Sequence, residues 1–197
     1  MYEGVDTVVL QNELAYQDLL PVGWRPITKA PDMATVTSMA DSNVRILQVC
    51  AAIEEQGAVE KKDEKSPHSA DIMRLEVKMN LLLDLMGQLI AASQPRPAAT
   101  VIRFNALGGV WNSTVPVRVG EQGVLEIYLR DSLPRPLTLI ANITHVNAGQ
   151  VRATFSPPGE AAADLIEKLA FRRHRRQVAG VRQPRRAGSE TGITRTL

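Results

Sequence analysis

Residues Asp71–Ile90 read DIMRLEVKMNLLLDLMGQLI, a stretch whose large apolar residues recur with a heptad period. Leu75, Leu82 and Leu89 stand at seven-residue intervals, and Ile72, Met79 and Met86 lie three residues ahead of each. On a helix these two series merge into one seam, the a and d positions of a coiled coil. Leu83 and Ile90 fall at e and Leu85 at g, positions where a two-stranded coil carries charge. The apolar stripe is therefore wider than a dimer uses, which points to more than two helices around one core. Methionine at a discriminates weakly between oligomer states.

The helix that carries this seam has legible ends. Ser69 is a suitable N-cap with Asp71 and Ile72 behind it, and SQPRP after Ile90 places two prolines where a helix cannot continue. Upstream, Val36, Met39, Val44, Ile46, Leu47, Cys50 and Ile53 repeat at three- and four-residue spacing, predicting a helix over 33–60. VEKKDEKSPHS separates the two. Two arrangements would cover the seam: an intramolecular hairpin of helices 33–60 and 69–93, or packing against other copies of the chain. A helix from Ser69 to Ser93 spans about 37 Å. A small barrel is only half to two-thirds that wide, so most of the helix would project and a hairpin would leave its e and g leucines wet. Exposed apolar patches of that size mark interfaces. Self-association through Ile72, Leu75, Met79, Leu82, Leu83, Leu85, Met86, Leu89 and Ile90 is the expected arrangement, and 33–94 is read as the oligomerisation region.

Outside this region the pattern changes. Residues 1–32 contain LPVGWRPITKAPD, whose prolines and glycine forbid a long helix, and read as an extended arm packing through Tyr16 and Trp24. From 95 onward the period becomes two: TVIRFN, VPVRV, VLEIYLR, LTLIANITHV and QVRATF read as strands separated by glycine- and proline-bearing turns. Short strands at this spacing predict a small antiparallel barrel. GEAAADLIEKLAFRRHRR then closes it with a helix whose inner face holds Leu165, Ile166 and Leu169, so the barrel unit runs over 95–179. The fold class is α+β. The residues from 180 to 197 are rich in Arg, Gly and Thr and are expected to be disordered.

Charge is unevenly placed. From Arg172 onward eight arginines stand against one acid, Glu190, so the preceding residues are net acidic although the chain as a whole carries +2. Arg172 and Arg176, four apart on one helix face, form a candidate anion clamp. Against that, cations complement the dipole at a helix C-terminus without any ligand. Nucleic acid or an acidic partner surface is the rival class for this segment, with no aromatic platform beside the arginines. Cys50 is the single cysteine and lies on an apolar face, where an inert thiol is expected. His68, His145 and His174 stand far apart in different elements and lack metal-ligand spacing. NALGG is a lone Gly-Gly turn with no helix behind it, and the paired carboxylates Glu54–Glu55 and Asp63–Glu64 sit in charged, solvated stretches. No catalytic constellation emerges, and neither an enzyme nor a cofactor is expected. No apolar run is long enough to cross a bilayer and the N-terminal residues do not resemble a secretory signal, so membrane insertion is not expected and a cytoplasmic location is.

The order of features over 101–179 resembles a PilZ domain: IRFNALGGVW at the first strand and turn, GVLEIYLRDSLPRPLTLIANITHV through the middle strands, GQVRATF as the last strand and DLIEKLAFRRHRRQVA as the closing helix. With the heptad helix upstream, the chain is similar to the atypical, tetramer-forming PilZ proteins of xanthomonads. That resemblance implies a tetramer and a role in cyclic di-GMP signalling. It also implies a dinucleotide site built from an Arg-x-x-x-Arg motif ahead of the first strand and an Asp/Asn-x-Ser-x-x-Gly motif on it. Arginine pairs of that kind clamp phosphates and stack on guanine.

Both motifs are altered here. SQPRPAAT supplies Arg96 without a second arginine four residues away. Aligning Gly108 puts Arg103 and Asn105 where the acid and the serine belong, and aligning Gly109 supplies Phe104 and Ala106 instead. Losing one charged hydrogen-bonded contact alone removes about 1.5–3 kcal/mol. Arg96, Arg103, Asn105 and Gly108 are the candidate site residues, and the site in its usual form is expected to be weak or absent. The overall expectation is a non-enzymatic regulatory scaffold that tetramerises and presents its barrels to a protein partner.

Overall fold

The computed structural model describes residues 9–59, 69–93 and 96–181. The basic segment from Arg182 to Leu197 lies outside these, so the expectation about the tail falls outside the described residues. Six strands close an antiparallel barrel. In spatial order these are β3 (Tyr16–Pro26), β4 (Ala99–Phe104), β5 (Gly108–Asn112), β8 (Gln150–Phe155), β7 (Leu137–Asn147) and β6 (Gln122–Ile127). Two short strands, β1 (Val9–Leu10) and β2 (Glu13–Leu14), form a separate hairpin through Gln11 and Asn12, both left-handed with φ of 53° and 66°. The barrel interior is filled from alternate positions of every strand, with Ile102, Phe104, Leu125, Ile127, Leu137, Leu139, Ile143 and Val151 fully buried.

The segment read as a separate arm is extended, with Tyr16 buried and Trp24 packed against the core, but it belongs to the barrel. β3 pairs with β4 from Tyr16 to Pro21 and with β6 from Val22 to Pro26. Its prolines hid it: Pro21 stands where the strand hands over from one neighbour to the other, and Pro26 is its last residue. These are places where a missing N–H does little harm. The barrel thus begins before the helical region, and α1 (Met33–Val59) and α2 (Ser69–Ser93) are inserted between its first two strands.

Strand assignment differs at one more place. Gly108–Gly109, read as a turn, opens β5, whereas VPVRV forms no strand. A Cβ on Gly108 would stand 2.5 Å from the Ala153 carbonyl oxygen, so the glycine permits β5 to approach β8. Pro116 interrupts the valines, and the Ser113 hydroxyl donates to the Val115 carbonyl in a local turn.

Helix α1 starts at an N-cap, with the Thr35 N–H on the Asp32 carboxylate at 2.8 Å. Its periodic face is real, and within the chain it buries against the barrel. Ile46, Leu47 and Cys50 are buried where α1 meets β7 and α3 (Glu160–Val181). Asn43, itself buried, fixes that docking: its carboxamide donates to the Thr138 carbonyl at 2.7 Å and accepts from the Thr138 N–H at 2.9 Å. α3 closes the assembly through Ala162, Ile166, Leu169 and Ala170, with Leu165 partly covered. The helical hairpin is not formed among the described residues, because the apolar face of α1 is spent on the barrel.

Candidate functional site

Helix α2 is buried, among its described positions, only at Gly87. Its a and d residues Ile72, Leu75, Met79, Leu82, Met86 and Leu89, and its flanking Leu83 and Leu85, are all between 52% and 73% exposed within one chain. The side chain of Ile90 lies outside those described. Helices of soluble proteins bury one stripe, and here the stripe is bare over three heptads. Met73, Val77 and Leu81, which the heptad reading left aside, add exposed apolar surface on the opposite side of the helix.

One position of α2 does touch the barrel. Gly87 is buried, and a Cβ built on it would stand 3.1 Å from the Cα of Ser132 in the β6–β7 connection. The same connection is held by Arg96. Its guanidinium donates to the Asp131 carboxylate at 3.2 Å and to the Asp131 and Leu133 carbonyls at 3.0 Å each, and it stacks on the Tyr128 ring at 5.3 Å. Only 14% of that side chain is exposed. The candidate phosphate clamp is thus an internal fastening between the end of α2 and the barrel. Burial pushes the Tyr128 phenol above its ordinary pKa, the Glu126 carboxylate adds to this, and the Arg96 charge opposes it.

The other motif residues are also turned to structural use. Asn105 is fully buried. Its amide donates to the Leu10 carbonyl at 2.8 Å, and its oxygen accepts the N–H groups of Leu107 at 2.9 Å and Gly108 at 3.1 Å. It shapes the β4–β5 turn and ties down the β1–β2 hairpin, so it cannot read a base edge from solvent. Gly108 serves strand approach. Arg103 is exposed, with its Nε on the Gln17 side-chain oxygen at 3.1 Å. The structure therefore sets Arg103, Asn105 and Gly108 in one hairpin, but Arg96 belongs to a different connection.

On α3, Arg172 donates to the Ala51 carbonyl at 3.5 Å, joining α3 to α1, while Arg176 is exposed. Arg172 borders a groove of about 540 Å³ between β2 and α3 that also holds Leu14, Phe171, Glu13, Asp164, Glu167 and Lys168, the lysine paired with Asp164. Glu13 and Glu167 stay in that wall beside Arg172, and the commitment of Arg172 to the Ala51 carbonyl argues against the displaced clamp. Sequence reasoning missed Arg173, which pairs with Asp18 at 2.9 Å beside Tyr16 and pins α3 to β3. Only recognition of β3 as a strand would have exposed that pair. Among the described residues no group of His, Cys, Asp or Glu is placed to hold a metal, and no helix is long and apolar enough to cross a membrane.

Comparison with known proteins gives the same architecture. The chain matches the sequence model of the atypical PilZ domain, cyclic di-GMP receptor, over residues 47–183. Among solved structures it is similar to a pathogenic protein from Xanthomonas campestris, described as a tetrameric PilZ domain self-assembled via an unusual helical bundle. The TM-score is 0.65 at 25% identity, covering 88% of this chain and 95% of that one. No curated protein matches the chain. A closed six-stranded barrel with a closing helix, a match over residues 47–183 and this structural likeness lead to one conclusion: the chain belongs to the atypical PilZ domain family.

Proposed function

We propose that this chain is a non-enzymatic, cytoplasmic scaffold of cyclic di-GMP signalling that tetramerises through α2 and holds its barrels outward as interaction modules. One observation carries the reading: eight apolar side chains of the heptad seam are more than half exposed in a single chain whose barrel core is otherwise closed. Fully burying a Leu, Ile or Met side chain is worth about 1.5–3 kcal/mol, so sharing such a seam among copies outweighs leaving it in water. The tetrameric relative from Xanthomonas campestris supports four as the number of copies. Four linked modules engage a repeated partner more tightly than one, through effective concentration.

In this reading the barrel does not take cyclic di-GMP in the usual way. Arg96 is committed to Asp131 and Leu133, and Asn105 to Leu10 and its own turn. Isothermal titration of the intact chain with cyclic di-GMP tests this directly. No heat is expected at high micromolar ligand. Tight binding lost on Arg103→Ala would instead make the protein a direct receptor.

A further inference from the structure

Among the described residues the helices pack on the barrel through β3 and β7, and the exposed outward positions of β3, β4, β5 and β8 have a one-sided chemistry. Barrel register places residues of five strands in a common row: Gln17 of β3, Arg103 of β4, Val110 of β5, Arg152 of β8 and His145 of β7. Tyr16, Ile102, Phe104, Trp111, Val151 and Ala153 beside the first four are buried, so Gln17, Arg103, Val110 and Arg152 face outward, and His145 is exposed at the irregularity of β7. Strands lie about 4.8 Å apart, which sets Arg103 and Arg152 about 10 Å apart across Val110. Both are exposed, and among the described residues neither is ion-paired to a carboxylate. No outward position of β3, β4, β5 or β8 is acidic. Beside the row, Leu19 and Val101 face each other across β3 and β4, at 62% and 52% exposure.

We propose that this face is the docking surface for an acidic protein segment that sets an apolar residue on Leu19 and Val101 and its carboxylates on Arg103 and Arg152. Charge complementarity favours that partner: two guanidinium groups with no acid at the outward positions of β3, β4, β5 and β8 bind carboxylates bidentately. A closed barrel offers no free edge for strand addition, so side chains must carry the recognition. A single-stranded nucleic acid would want aromatic stacking platforms, and no Phe, Tyr or Trp occupies an outward position of these strands. The inference deepens the scaffold reading by naming the class of partner, and rests on that reading for the gain from multivalency alone.

The test is fluorescence anisotropy of the full chain with a labelled peptide of glutamate and serine around a central leucine. Binding that weakens with salt is expected, with a loss of at least about tenfold in Arg103→Glu/Arg152→Glu. Arg175→Glu on α3 should leave it unchanged. Circular dichroism of the double variant should match the parent, because both side chains are exposed. Repeating the titration on Met79→Glu/Leu82→Glu separates the two claims: weaker but still arginine-dependent binding upholds the face even when assembly is lost. No peptide binding, binding indifferent to the double variant, or tighter capture of a single-stranded oligonucleotide by the same arginines would overturn the proposal.

Discussion

A Cβ placed on Gly87 would stand 3.1 Å from the Cα of Ser132, and this is where the long apolar helix rests on the barrel. A helix-interior glycine ordinarily costs about 1 kcal/mol relative to alanine, so its presence calls for a contact that excludes a side chain. Gly87→Ala is expected to be nearly neutral in thermal unfolding, since improved helix propensity offsets slight crowding. Gly87→Leu should destabilise by about 1–3 kcal/mol through overpacking. Equal stability of the leucine variant and the parent would mean that α2 does not rest on that connection.

Arg96 fastens the same connection, and Tyr128 reports on it. Burial first, and the Glu126 charge second, raise the Tyr128 pKa, while Arg96 lowers it. The folded state therefore favours the neutral phenol, and this contribution to stability is lost as pH rises above the ordinary value of about 10. Ultraviolet titration, with Tyr128→Phe as the subtraction, should place the phenol above that value. In Arg96→Ala it should move higher still. A downward or absent shift in that variant would contradict the stacked geometry.

Asn105 is assigned a structural task although its position in the sequence is that of a ligand-reading residue. Asn105→Ala leaves the Leu10 carbonyl and two N–H groups without their partner. A loss of about 1–3 kcal/mol in urea unfolding is expected. Asn105→Asp sets an acceptor oxygen against the Leu10 carbonyl and buries a carboxylate, so it should not recover that loss. An Asn105→Ala chain of unchanged stability would overturn the assignment.

Asn43 makes an equivalent claim for α1. Its carboxamide mimics a strand partner for the backbone of Thr138. Asn43→Leu should destabilise by about 1–3 kcal/mol, because buried backbone groups lose their partner, and amide exchange should quicken over α1 first. If exchange in α1 stays slow, the packing of Ile46, Leu47 and Cys50 holds the helix without the hydrogen bonds.

What was legible in the sequence was what repeats. The seam from Ile72 to Leu89, the alternation in ATVIRF, LTLIANITHVN and QVRATF, and the closing helix could all be read from period alone. β3 was not, because Pro21, Gly23 and Pro26 break the compositional signal, although Pro21 falls at the change of partner and Pro26 at the strand end. The apolar face of α1 was legible, but its destination was not. Periodicity says that a face is buried and not against what, and Asn43 marks the barrel only once Thr138 lies beside it. The motif residues carried the opposite lesson. Arg96 and Asn105 have the side chains a ligand site would use, and only distances to Asp131, Leu133 and Leu10 show them spent internally.

The most direct test is the mass of the intact chain in dilute solution, by sedimentation velocity with light scattering. Four copies per particle are expected, falling to one in Met79→Glu/Leu82→Glu with the barrel still folded. A stable single copy of the parent chain would contradict the account.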